Sequence, residues 1–165
     1  MKAPRGIRNN NPGNLRLPAS STRPGDEGHD KDGFSKFSTP QHGLDSLARL
    51  LVNYGKAGVN TIAGIITKYA PPSENDTDAY TLFVANKAKL DPLEPLDMKS
   101  SEIISALMTA IIAFENGRQP YTRTMIYNAV QKAVGGPAGF GLAPMSKWSR
   151  PWTIKEDWFQ KGTKT

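Results

Sequence analysis

"SSEIISALMTAIIAFENG", residues 100–117, decides how the rest of the chain folds. Ser100 or Ser101 is placed to cap a helix, because a serine oxygen accepts from the free amides of a first turn. Ile103, Ile104, Leu107, Met108, Ile111, Ile112 and Phe114 then occupy nearly every face. A helix that is apolar all round is buried, so this one is expected at the centre. Gly117 and Pro120 end it.

Helical signals continue on both sides. Upstream, Thr39 with Pro40 reads as N-cap and first helical residue, followed by Leu44, Leu47, Leu50, Leu51 and Tyr54 on one face. Gly55 and Gly58 close that helix. A second begins near Thr61, turns Ile62, Ile65, Ile66 and Tyr69 inward, and must stop before Pro71-Pro72. Asn75, Asp76 or Thr77 caps a third that carries Tyr80, Phe83, Val84 and Ala88. Downstream, a last helix from about Thr122 buries Met125, Ile126, Ala129 and Val130 and ends at Gly135-Gly136.

The expected fold is therefore mainly α, with an irregular N-terminal loop region over residues 1–38 and an extended C-terminal tail. Thirteen prolines and fifteen glycines in 165 residues favour many turns over long uninterrupted helices. The expected division is a helical domain over 1–133 and a Trp-, Pro- and Gly-rich docking tail over 134–165. The tail holds Trp148, Trp152 and Trp158. Tryptophans gathered in an aperiodic segment either anchor a partner or pack back on their own domain.

The chain opens with "RGIRNNNPGN", residues 5–14, which has no hydrophobic period. Asparagine and Pro-Gly favour turns, and a polar loop can also present amides to a ligand. Both readings stand on composition alone. Asp30, Asp32 and Gly33 superficially resemble a calcium loop, but the late glutamate and other ligands of that motif are missing.

Several classes of chemistry are excluded. There are no cysteines, hence no disulfide, thiol catalysis or Cys-built zinc site. His29 and His42 have no metal-ligand spacing. The first ten residues lack a signal-peptide core, and no run is long enough to span a membrane. Net charge is +6, which suits nucleic acid, anionic lipid or an acidic cell wall. No nucleic-acid motif accompanies it.

Carboxylates and amides remain. Glu115 follows Phe114 at the end of the most apolar helix. Burial disfavours the charged form and raises the pKa of such a group, as a glycosidase general acid requires. The alternative is a solvated helix-end residue. Glu74, in "PSENDTDAY", is the second candidate, among residues that read equally as helix caps.

Four blocks, "RGIRNNNPGNLR", "FSKFSTPQHGLDSLARLL", "NTIAGIITKYAPPSENDTDAY" and "AIIAFENGRQPY", come in an order that resembles a group of phage virion proteins. Those proteins are described as structural or tail components with a lysozyme-like, wall-degrading role. The resemblance covers roughly residues 5 to 125. More distantly, lytic enzymes and glucosaminidases carry a helix ending in Glu-Ser-Gly before an Asn-rich block. Here Glu-Asn-Gly comes last, so the likeness implies a circularly permuted lysozyme-like domain.

The resemblance implies a virion- or tail-associated peptidoglycan hydrolase, of lysozyme or lytic transglycosylase type, cutting β-1,4 aminosugar links in the host periplasm without cofactor or metal. Glu115 would be the general acid, with Glu74 as alternative. Asn9, Asn10, Asn11, Asn14 and Tyr121 would bind the sugar. Residues 134–165 would dock the protein to other virion components. The rival expectation is an inactive structural virion part held by the same tail.

Overall fold

The computed structural model of the chain describes residues 2–19 and 23–135. Six helices and one hairpin make up this part: α1 (Arg5–Arg8), β1 (Asp26–His29), β2 (Ser35–Phe37), α2 (Pro40–Lys56), α3 (Ile62–Tyr69), α4 (Thr77–Ala88), α5 (Ser101–Asn116) and α6 (Arg123–Val134). The expected domain boundary at 133/134 falls in the last residues of α6. Trp148, Trp152 and Trp158 lie outside the described residues.

The N-caps follow the side-chain chemistry. Thr39, Thr61, Asp76, Ser100 and Thr122 each accept a hydrogen bond from the backbone amide three residues on. Each thereby partners one of the amides a first turn leaves free. Gly117 ends α5 in the left-handed region at φ 66°, where a side chain would be strained.

The core sits around α5, which packs against α1, α2, α4 and α6. Ile104, Leu107, Met108, Ile111 and Ile112 of α5 are fully buried. They meet Leu44, Leu47 and Leu51 of α2, Tyr80 and Val84 of α4, and Ile126 and Val130 of α6 in one continuous cluster.

Two details differ from the sequence expectation. The N-terminal region is not wholly irregular: it contains the one-turn α1 and the antiparallel β1–β2 hairpin, with Asp26 opposite Phe37 and His29 opposite Ser35. Both elements are too short to show a hydrophobic period. Phe83 does not join Tyr80 and Val84 inside. The buried face of α4 runs through Thr77, Tyr80, Thr81, Val84 and Ala85, which leaves Phe83 on its edge and 38% exposed.

Candidate functional site

The Asn-rich segment is a stapled loop, and each asparagine has its own partners. Asn11 is completely buried. Its Nδ2 donates to the carbonyls of Leu15 and Ser35 at 2.9 and 2.8 Å, and its Oδ1 accepts from the Leu15 amide. Asn10 donates to the Phe37 carbonyl and Asn9 to the Asp30 carboxylate. The amides of Ser35 and Phe37 donate back to the carbonyls of Leu15 and Asn9. Asn10 and Asn14 sit at φ 50° and 48°, a conformation asparagine tolerates better than most residues. Thus Asn9, Asn10 and Asn11 spend their amides on the fold, tying the loop to the hairpin.

Asp30 accepts from Asn9 and from the backbone amides of Asp32 and Phe34. These bonds and the nearby Arg5 outweigh the little burial it has and hold its carboxyl below the usual range. The calcium-like spacing is thereby a turn-closing carboxylate.

Asn14 is different. The loop leads it to the C-terminal end of α5, where its Nδ2 donates to Glu115 Oε2 at 2.8 Å. From α4, the Tyr80 hydroxyl donates to Glu115 Oε1 at 2.8 Å. Asn116 anchors the junction: its Nδ2 donates to the Pro12 carbonyl at 2.8 Å and to Ile112 at 2.9 Å. The Tyr69 hydroxyl donates to the Gly13 carbonyl. The loop is thereby held against α5 and α3 at the two residues just before Asn14.

The electrostatics follow from this packing. Burial pushes the Glu115 pKa up, and the bonds from Asn14 and Tyr80 pull it down; the upward push wins. Tyr80 is itself pushed far up, first by burial and then by Tyr69 and Glu115. Tyr69 is raised well above the usual range too, first by burial and then by Glu115 and Tyr54. Both phenols therefore stay protonated and act as donors, while Glu115 can hold a proton at higher pH than a free carboxyl.

Gly6 closes the far side. A Cβ there would lie 2.4 Å from Asn116 Oδ1, 2.8 Å from the Asn11 carbonyl and 3.1 Å from Asn14 Oδ1. The two amide oxygens, buried and without a hydrogen-bond partner among the described residues, thus face the space that a Cβ at Gly6 would fill.

Aromatic rings extend from the carboxyl. Tyr80 stacks on Phe114 with ring centroids 3.7 Å apart and planes 15° apart. Phe83 meets Phe114 edge-on at 5.3 Å. Phe114 is 40% exposed, so this cluster runs from a buried phenol to the surface beside Glu115.

The structure thus brings together Glu115 and Asn14 of the sequence-derived candidates. Glu74 is exposed in the turn before α4, where its amide donates to the Pro71 carbonyl. Among the described residues no hydrogen bond or ion pair links it to Glu115. Tyr121 packs half-buried against the core, its amide bonded to the Gln119 side chain. Sequence reasoning did not single out Tyr80, Tyr69 or Asn116. The available signal was Tyr80 on an inward helical face, since a buried phenol needs a partner.

No family model matches the chain. Protein P5 of Pseudoalteromonas phage PM2 is 38% identical to it over 135 residues, which cover 79% of this chain and 80% of that protein.

Proposed function

The chain belongs to the family of Protein P5 of Pseudoalteromonas phage PM2, and from that premise we propose that it is a virion-borne enzyme that cuts the glycan of bacterial peptidoglycan. The observation that carries the reading is Glu115, a carboxyl raised by burial, gripped by Asn14 and Tyr80, and bordering an exposed aromatic cluster.

In this reading Glu115 is the general acid. As the bond between the anomeric carbon and the bridging oxygen breaks, its electron pair goes to the oxygen, which takes the Glu115 proton. Positive charge builds on the sugar ring. Water or a group of the sugar itself then captures the cation, and the proton released in that capture returns to the Glu115 carboxylate. Tyr80 and Asn14 orient the carboxyl, and their hydrogen bonds stabilise the carboxylate left behind. The +6 net charge favours approach to the anionic wall.

The test is clearing of purified peptidoglycan by the full chain, by Glu115→Gln and by Glu74→Gln. Activity in the native chain and in Glu74→Gln, lost in a folded Glu115→Gln, is the expected outcome. A folded native chain that releases no fragments would replace the enzyme with a structural virion role.

A further inference from the structure

We propose that the outward surface of Phe83 and Phe114 is a sugar-stacking subsite, which seats the apolar face of one pyranose ring of the glycan next to Glu115. The inference deepens the muralytic reading and rests on it for the identity of the sugar. It stands on three observations.

First, these are the large apolar side chains that α4 and α5 leave open, at 38% and 40% exposure. Both belong to helices whose other bulky apolar residues are mostly buried. Second, the ledge is joined to the acid. Phe114 precedes Glu115 in the chain and stacks on Tyr80, whose hydroxyl donates to the Glu115 carboxyl. A ring held on Phe114 therefore lies near the carboxyl.

Third, the size suits a small apolar face. Two aromatic side chains at about two-fifths exposure present on the order of 150 Å². A stable protein interface needs about 800 Å² on each partner. The axial C–H groups of a pyranose form a small apolar face that matches a ring, while its hydroxyl rim stays in water. Tyr80 below Phe114 and Phe83 at its edge fix the ring, so little side-chain freedom is lost on binding.

The experiment uses the full chain carrying Glu115→Gln, so that a bound glycan is not consumed. Tetra-N-acetylchitotetraose is titrated by calorimetry and purified peptidoglycan is tested by co-sedimentation. Phe83→Leu and Phe114→Leu keep apolar bulk but remove the ring; Phe114→Tyr keeps the ring. Melting curves establish that each variant is folded.

The expected result is binding about tenfold weaker in each leucine variant and retained in Phe114→Tyr. Leucine variants that bind as their parent does, or a parent that binds neither probe, overturn the subsite. The two readings fail separately. A native chain that binds glycan through the phenylalanines yet cuts nothing loses the enzymatic role and keeps the subsite. A native chain that clears walls, with KM unchanged by the leucine substitutions, keeps Glu115 as acid and loses the subsite.

Discussion

Asn14 Nδ2 donates to Glu115 Oε2 at 2.8 Å across a separation of 101 residues, and this bond brings the Asn-rich loop onto the carboxyl at the end of the central helix. Asn14 meets two demands, a left-handed backbone and an amide donor. Asn14→Gly keeps the first and Asn14→Ala keeps neither. Wall clearing should fall about tenfold or more in both, since one oriented hydrogen bond to a charged group is worth about 1.5–3 kcal/mol. Only the alanine variant should also lose stability by strain, about 1 kcal/mol. Equal melting temperatures for the two would refute the backbone part of this account.

Glu115 weakens the fold at neutral pH. Its folded pKa is raised above the ordinary value of 4.5, so the folded protein holds the proton more tightly than the unfolded chain. The associated stability is fully present below about that value and is lost as pH rises through the folded pKa. Glu115→Gln cannot ionise. Its advantage in melting temperature over the native chain should be near zero at pH 4 and grow toward pH 8. A difference that shrinks with rising pH would contradict the buried-acid description.

Tyr80→Phe removes one hydroxyl and keeps the ring on Phe114. The lost bond is one that lowers the Glu115 pKa, so the pKa should rise. A general acid stays active while protonated. The alkaline limb of the clearing profile should therefore move to higher pH, even as the rate at its plateau falls. A limb that stays in place in the phenylalanine variant would separate Tyr80 from the acid.

Asn11 should behave as a purely structural residue. Asn11→Ala takes the acceptor from the Leu15 amide and one donor from each of the Ser35 and Leu15 carbonyls, the last of which keeps the Ser35 amide, at about 1–3 kcal/mol for a group left unpaired. Asn11→Asp should be worse at neutral pH, because it turns a carboxylate toward two carbonyls. Urea denaturation orders the two, and an aspartate variant more stable than the alanine one would reverse the hydrogen-bond assignment.

Gly43 is needed for close approach. A Cβ there would lie 1.9 Å from the Asn10 carbonyl oxygen and 2.7 Å from Pro12 Cδ. Gly43→Ala should push the loop off α2 and cost about 1–3 kcal/mol, as overpacking usually does. Through Asn14 it should also lower clearing activity. Full stability in this variant would mean the loop has room to move.

The helices were legible in the sequence because their causes are local. Thr39-Pro40, Thr61, Asp76, Ser100 and Thr122 cap within three residues, and the apolar period of Leu44, Leu47 and Leu51 repeats within two turns. The all-round apolarity of residues 103–114 likewise marked α5 as central, and Glu115 stood out because it ends that run. The partners of Glu115 could not be read this way. Tyr80 lies 35 residues before it and Asn14 101 residues before it. Which asparagine reaches the acid depends on which ones the hairpin consumes: Asn9, Asn10 and Asn11 are bound to Asp30, Phe37, Leu15 and Ser35, and Asn14 remains. Capping and hydrophobic period act between neighbours along the chain, so the sequence alone determines the five longer helices and most of their buried faces. Hydrogen bonds between distant residues exist only once those elements are packed, so the tertiary structure alone decides the site.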